Sequence, residues 1–321
     1  MATTTNITTT FSGAKLQGYI STALLSATTI QNGGISINAN INYKQVIKQL
    51  SLGTGELIKA GSCDFDATSQ VDLDERYLEP KEFQVNMQLC KTPFVKDWET
   101  AEMGFSAHKV LPSTFATYFA ARIIAEVSTE NERILWQGNN STNTGEYDGL
   151  LTLLGADADL PASAEITGTA ITVGNVATEL QKIVDAILPA IYGAEDLYIY
   201  IPQNVHRAYV AHLAGFGLAG SGAAGYESRG QNQSFNPNDM VFNGVKLFVA
   251  NGLPDDTMIA SRVSNLWFGT GLLSDWNMLK IKDMEDVDLS QNVRFGMRWT
   301  AAVNYAYPEE IVTYGVVNDA N

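Results

Sequence analysis

The stretch ATYFAARIIAEVSTENERILWQGNNSTNTGEYDGLL, residues 116–151, sets the frame for the rest of the chain. Pro112 and Ser113 supply a helix start just upstream, and Gly138 a stop. Between them Phe115, Phe119, Ile123 and Val127 recur at four-residue spacing, with Tyr118 and Ile134 beside them, which predicts one helix with a single apolar face. Arg122, Glu126, Glu130, Glu132 and Arg133 mark its wetter side. From Thr114 to Gln137 such a helix would span about 36 Å, roughly twice the length of an average domain helix. A polar tract and then Tyr-Asp-Gly-Leu-Leu follow the break, with no recognisable catalytic group. A helix of this length acts as a strut, and the flanking sequence must say what it holds.

The chain has 321 residues, enough for two modest domains or one large one. Hydrophobic residues make up 45%, so a folded core is expected. Charged residues make up only 17%, against about a quarter in average soluble proteins, and Thr, Asn, Ser and Gly take their place. A surface with few charges either meets other protein or is simply neutral and solvated. The net charge of −15 argues against a dedicated nucleic-acid reader, which would carry a basic stripe, but not against a protein that surrounds nucleic acid. Cys63 and Cys90 form no CxxC and no zinc spacing, which points to a reducing compartment and neither a disulfide framework nor a metal site. No run approaches the roughly 18 apolar residues of a membrane span. The start, MATTTNITTTFSGAKLQGY, lacks the basic and apolar regions of a signal peptide, so triplets such as Asn6 to Thr8 have no secretory context.

Residues 1–40 are rich in Thr, Asn, Ser and Gly without sustained period; they read as a loose tail or as an arm ordered on a neighbour. Phe65, Ala67, Val71 and Leu73 then alternate with Asp64, Asp66, Asp72 and Asp74, and Phe83, Val85, Met87 and Leu89 alternate with polar residues. These two period-2 runs, separated by residues 74–81, predict a long β-hairpin excursion. A lone two-stranded hairpin is barely stable in water, so it needs a surface to lie on. Beyond the strut, a helix over 176–192, the strand DLYIYIP, a helix over 204–214 and the strands GVKLFVA and DTMIAS suggest an α/β subdomain over 175–275. Three more strand-like runs follow, around 278–281, 293–305 and 311–315. Within them Val293, Phe295, Met297 and Trp299 alternate with charged Arg294 and Arg298.

Motifs that would carry chemistry fail on context. GFGLAG, residues 215–220, spells GxGxxG, but it follows a helix and runs into more Gly and Ser, so no helix N-terminus awaits a pyrophosphate. Asp64, Asp66, Thr68, Asp72 and Glu75 fall in a calcium-loop register, yet Ser69 stands where the turn needs Gly and strand patterning replaces the flanking helices. Ser12 and Lys15 make an SxxK with no partner motif. His206 and His212, six apart, do not share a helix face, and His108 stands alone. No cofactor, metal or catalytic set is expected. Asp283, Glu285, Asp286 and Asp288 read as a solvated acidic loop, or as a contact point for an ion or for Lys/Arg in an assembly.

The order of elements resembles the major capsid proteins of tailed bacteriophages, the Hong Kong 97-like α+β fold. The stretches that carry the resemblance are ENERILWQGNNSTNTGEYDGLL, DLYIYIPQNVHRAYVAHLAG, GVKLFVANGLPDDTMIASRVSNLWFG and VRFGMRWTAAVNYAYPEEIVTYGV, over residues 100–318 in pattern and residues 1–100 in layout. The resemblance implies an N-terminal arm (1–50), an extended hairpin loop (51–100), a peripheral domain with a spine helix (101–174 and 276–321) and an axial domain (175–275). It further implies self-assembly into hexamers and pentamers of an icosahedral head that encloses double-stranded DNA without sequence-specific binding. Scaffolding, portal and decoration proteins would be partners, and the virion the location. No long helical segment precedes the arm, so a fused scaffolding region is not evident. On this reading Phe65, Val71, Leu73, Phe83 and Val85 of the hairpin touch a neighbouring copy. Asp283, Glu285, Asp286 and Asp288 sit at a hairpin tip near three-fold contacts, answered by Lys280, Lys282, Arg294 or a cation. Some members of the family cross-link a lysine of the extended loop to a neighbour's asparagine; Lys59 and Asn304 would be the candidates here. The same fold would also serve an encapsulin-type nanocompartment, and an acidic cell-surface protein is a more distant alternative.

Overall fold

A computed structural model describes residues 28–52, 71–90, 113–214, 240–272 and 279–316. In chain order the strands are β1 (Ser36–Asn38), β2 (Gln45–Leu52), β3 (Val71–Leu78), β4 (Lys81–Cys90), β5 (Glu165–Ile166) and β6 (Leu197–Ile201). They continue with β7 (Val241–Phe242), β8 (Val245–Val249), β9 (Met258–Arg262), β10 (Leu266–Gly269), β11 (Lys280–Asp283), β12 (Asn292–Tyr305) and β13 (Val312–Tyr314). The predicted strut is a single helix, Ser113–Gln137.

Gly138 ends that helix through crowding. A Cβ there would stand 2.3 Å from the Tyr147 carbonyl oxygen and 2.6 Å from that of Ile134. The polar tract turns straight back along the helix end: Gly149 N–H donates to the Gly138 carbonyl at 2.8 Å. Arg133 Nη2 donates to Glu146 at 2.5 Å, and Asn140 N–H to Asp148 Oδ1 at 2.9 Å. The short helix Leu150–Leu154 then packs Leu150 and Leu154 into the same core as Leu135 and Trp136. Of the predicted apolar face, Ile123 is buried and Val127 and Ile134 half-buried. The side chains of Phe115, Tyr118 and Phe119 lie outside the described residues. Among its described side chains the helix is most deeply buried at the C-terminal end, where Leu135 and Trp136 have no exposed surface.

Two sheets flank the helix end. In the five-stranded sheet β12 is the central strand: β4 pairs along residues 292–301, β11 along 293–296, and β10 along 302–305, with β1 parallel to β10 beyond it. The six-stranded sheet runs β5-β13-β9-β6-β8-β7. Its inner strand β6 is nearly continuously apolar because both faces are covered. Ile199 and Ile201 face a core built with Leu180, Ile183 and Val205 of two helices, Val176–Ala186 and Gln203–Ala214, while Tyr200 faces the core of the long helix.

Four expectations are corrected. The run 83–89 does not pair with residues 71–73, the described part of the run 65–73, of which residues 65–70 lie outside the described residues: β3 pairs with β2, Gln45↔Leu78 to Leu52↔Val71, and β4 lies on β12. The hairpin is therefore built from residues earlier in the chain, and part of the expected loop 51–100 is a sheet strand. The division at residue 275 is crossed both ways, since β10 belongs to the five-stranded sheet and β13 to the six-stranded one. Tyr314 on β13 secures that crossing by donating its hydroxyl to the buried Glu179 at 2.8 Å. The expected helix over 176–192 ends at Ala186, leaving Leu188 and Tyr192 exposed. Residues 28–41 of the expected arm fold on the chain's own body: Ile35 is buried in the main core and Asn40 N–H donates to the Gly271 carbonyl at 2.7 Å.

Candidate functional site

The hairpin of β2 and β3 presents two unlike faces. Side chains alternate along a strand, and directly opposed residues share a face. Ile47 and Leu78 on one face are buried against Ala302 and Ala306 of the body. On the other face the opposed pairs Val46↔Tyr77 and Leu50↔Leu73 form an apolar stripe interrupted by the charged pair Lys48↔Glu75, and the four are 40%, 47%, 57% and 68% exposed respectively. Lys44 stands 3.4 Å over the Tyr77 ring, adding a cation–π contact at the base. Four large apolar side chains in water on a two-stranded ribbon are the pattern of a surface that awaits cover.

The sequence-predicted contact residues divide. Leu73 lies on this stripe. Phe65 lies outside the described residues, and Val71 is paired with Leu52 with its side chain undescribed. Phe83 and Val85 are not on the hairpin. They sit half-buried on β4 against the chain's own core, with Phe83 edge-on to Tyr147 at 5.5 Å and 6.3 Å from the Trp299 ring. With Met87, Ile123, Val127 and Trp299 they line an apolar groove of about 500 Å³ between β4 and the long helix, rimmed by Arg122, Glu126 and Glu130. Val46, Leu50 and Tyr77 were missed by sequence reasoning. The alternation in QVIKQLSL was available as a signal, but its apolar letters fall on both faces.

Asp283 ends β11, and Glu285 and Asp288 lie in the connection from it to β12, which includes Asp286, whose side chain is undescribed. Their oxygens are partly taken up locally: Glu285 N–H donates to Asp283 Oδ1 at 3.1 Å and Ser290 N–H to Asp288 Oδ1 at 3.0 Å. Hydrogen bonding to Ser290 holds the Asp288 carboxyl below its ordinary range. Arg294 stands 4.0 Å from Asp288, and Lys282 is its cross-strand neighbour. Among the described residues no three His, Cys, Asp or Glu side chains converge as a metal site would require. The turn also exposes two aliphatic side chains, Val287 and Leu289. Asn304, the candidate cross-link acceptor, donates its amide to the Tyr77 carbonyl at 2.7 Å, while Lys59 lies outside the described residues.

One polar residue of the long helix is placed where sequence reasoning did not look for it. Glu132, assigned above to the wet side, is 1% exposed. It accepts the Thr29 N–H at 3.2 Å and the Thr29 hydroxyl, and that hydroxyl accepts the Trp136 indole N–H at 3.0 Å. The helix thus holds the first described residues of the arm. Burial pushes the Glu132 carboxyl above its ordinary value of 4.5, and the hydrogen bonds from Thr29 only partly oppose this. The folded chain then binds more protons than the unfolded one above about pH 4.5, so this contribution to stability is present below that value and lost as pH rises through the folded pKa. Glu132→Gln keeps an acceptor for Thr29 and removes the charge. Thermal melts should show the variant gaining on the wild type as pH rises from about 4 toward neutral; a constant gap across that range would contradict the burial argument.

No protein-family model matches the sequence, and no curated protein matches it significantly. Solved structures do match along nearly the whole chain. The capsid of an empty GTA particle aligns with a TM-score of 0.59 at 13% identity, over 92% of this chain and 92% of that one. A structure from Mycobacterium phage Adephagia gives 0.58 at 12% identity over 93% and 94%. The capsid of Myoviridae phage XM1 gives 0.55 at 14% over 92% and 94%. The chain has a phage-capsid fold.

Proposed function

We propose that the chain is the major capsid protein of a tailed-phage head: a structural subunit, without enzymatic activity, that assembles with copies of itself into hexamers and pentamers of an icosahedral shell around double-stranded DNA. The observation that carries this reading is the stripe Val46, Leu50, Leu73 and Tyr77, exposed on a hairpin whose other face is already occupied by its own body. Burying a Leu side chain contributes about 1.5–3 kcal/mol, and a specific interface commonly covers about 1,600 Å². A partner is thus expected for this face, and the capsid fold supports a second copy as that partner. The long helix with the five-stranded sheet would form the peripheral part, and the six-stranded sheet with its two helices most of the axial part. Residues 1–27 would belong to the arm. The net charge of −15 suits a wall that encloses DNA without gripping it. Scaffolding, portal and decoration proteins would assist, with assembly in the host cytoplasm and the virion as destination.

Electron microscopy of the purified recombinant chain tests the proposal. Closed shells or capsomer-like rings are expected; a chain that stays monomeric across assembly-promoting protein and salt concentrations would refute it. Shells recovered with a folded cargo enzyme instead of nucleic acid would favour the nanocompartment alternative.

A further inference from the structure

At the base of the hairpin one arginine ties β3 to the body. Arg76 Nη2 donates to Asp157 Oδ2 at 2.7 Å, and Asp159 lies 3.6 Å away. The guanidinium stacks over the Tyr305 ring with its carbon 4.6 Å from the ring centroid. Tyr305, buried on β12, donates its hydroxyl to the same Asp157 oxygen at 2.5 Å. Asp157 Oδ1 accepts the Asp159 N–H at 3.0 Å, which fixes the carboxylate plane. Burial works to raise the Asp157 pKa, but the bonds from Tyr305, Asp159 and Arg76 together hold it below its ordinary range. One residue away on the same two strands, Asn304 of β12 holds the Tyr77 carbonyl of β3. Beside the cluster lies a cleft of about 490 Å³, bordered by Arg76, Asn140, Asp148, Asp157 and Tyr305, so the base of the hairpin is not packed solid on that side.

We propose that Arg76, Asp157 and Tyr305 are positioning residues, a clamp that sets the angle at which the hairpin leaves the body and thereby the geometry of the assembly it builds. This rests on the shell-forming function proposed above. The apolar contact of Ile47 and Leu78 with Ala302 and Ala306 is non-directional and permits sliding. An arginine stacked on a ring and bonded to an oriented carboxylate is directional. The difference matters because the hairpin is a lever. Eight residues of strand reach about 26 Å, so a tilt of about 10° at the base displaces the far end by about 4–5 Å. A gap of about 0.5–1 Å already forfeits a quarter to a half of a dispersion contact. Apolar burial at the stripe supplies the association energy, and the clamp decides which relative placement of two copies can collect it.

The test compares wild type, Asp157→Asn, Arg76→Lys and Tyr305→Phe, the last removing only the hydroxyl and keeping the ring under Arg76. Hydrogen exchange is read on the unassembled full chain, at the amides of residues 45–50 and 73–78 against those of residues 199–201 and 258–261. Protection of the hairpin amides should fall about ten- to a hundredfold in Asp157→Asn and Arg76→Lys, and by less in Tyr305→Phe, with the reference amides unchanged. Particles from the first two should lose the single diameter of the wild type, as judged by electron microscopy. Unchanged hairpin protection would overturn the clamp, and a loosened hairpin that still builds uniform wild-type particles would overturn its control of geometry. A wild type that builds no particles removes the shell function instead, and the exchange comparison still decides whether the three residues hold the hairpin.

Discussion

Leu73→Asp should yield a soluble, folded chain that builds no particles under conditions in which the wild type assembles. Leu73 is 68% exposed, and its opposite number Leu50 is 57% exposed, so the folded chain gives up little by the change. The new carboxylate also meets no like charge directly across the hairpin. In the assembled state the account reverses. Burial worth about 2 kcal/mol is lost, and a carboxylate must be desolvated without a partner, which adds a further cost of several kcal/mol. Two kilocalories alone weaken a pairwise contact about thirtyfold. A shell repeats that contact for every subunit, and the threshold concentration for assembly rises accordingly. Leu73→Ala should fall between the two, raising the threshold without abolishing particles. The readouts are sedimentation for assembly, and far-UV circular dichroism with a thermal melt for the fold. Wild-type particle yield from Leu73→Asp would remove the hairpin stripe from the interface.

The largest effect on the isolated chain is expected at Gly252. The loop after β8 presses its backbone onto the end of the long helix: a Cβ on Gly252 would stand 2.1 Å from the Glu132 carbonyl oxygen and 2.7 Å from Trp136 Cδ1. Neither atom is the free end of a flexible side chain. The loop must retreat, and with it the Gly252 carbonyl that accepts the Gln137 side-chain amide at 2.5 Å. Trp136 has no exposed surface and anchors the main core, so the retreat opens a void there. Gly252→Ala should cost about 3 kcal/mol, a fall of roughly 4–5 °C in Tm. Gly174→Ala is the control: its Cβ would meet only Thr172 Oγ1 at 3.9 Å, and its melt should match the wild type. Equal melts for both variants would mean that the loop adjusts freely and that the close approach is not tight.

Patterns that repeat within one element were legible from the letters alone. The long helix was bounded within a residue by Pro112-Ser113 and Gly138, and β6, β8, β9 and β12 fell where alternation or a short apolar run placed them. Helical and strand periods are properties of adjacent residues, so they need no knowledge of the rest of the chain. The order of those elements was enough to suggest the capsid fold.

Pairing was not legible in the same way. β4 and β12 are about 200 residues apart, and nothing in KEFQVNMQLC names its partner. The period-2 pattern of Phe83 and Val85 marked an apolar face correctly, but not whether the chain's own helix or another copy would cover it. Glu132 read as a solvated charge because its neighbours on the helix are charged; Thr29, 103 residues earlier, turned it into a buried acceptor. The sequence by itself therefore determined which segments become helix or strand and which of their faces are apolar. Tertiary structure alone decided which faces meet within one molecule and which, like the Leu50 and Leu73 stripe, remain uncovered, because burial depends on distant segments that compete for the same surface.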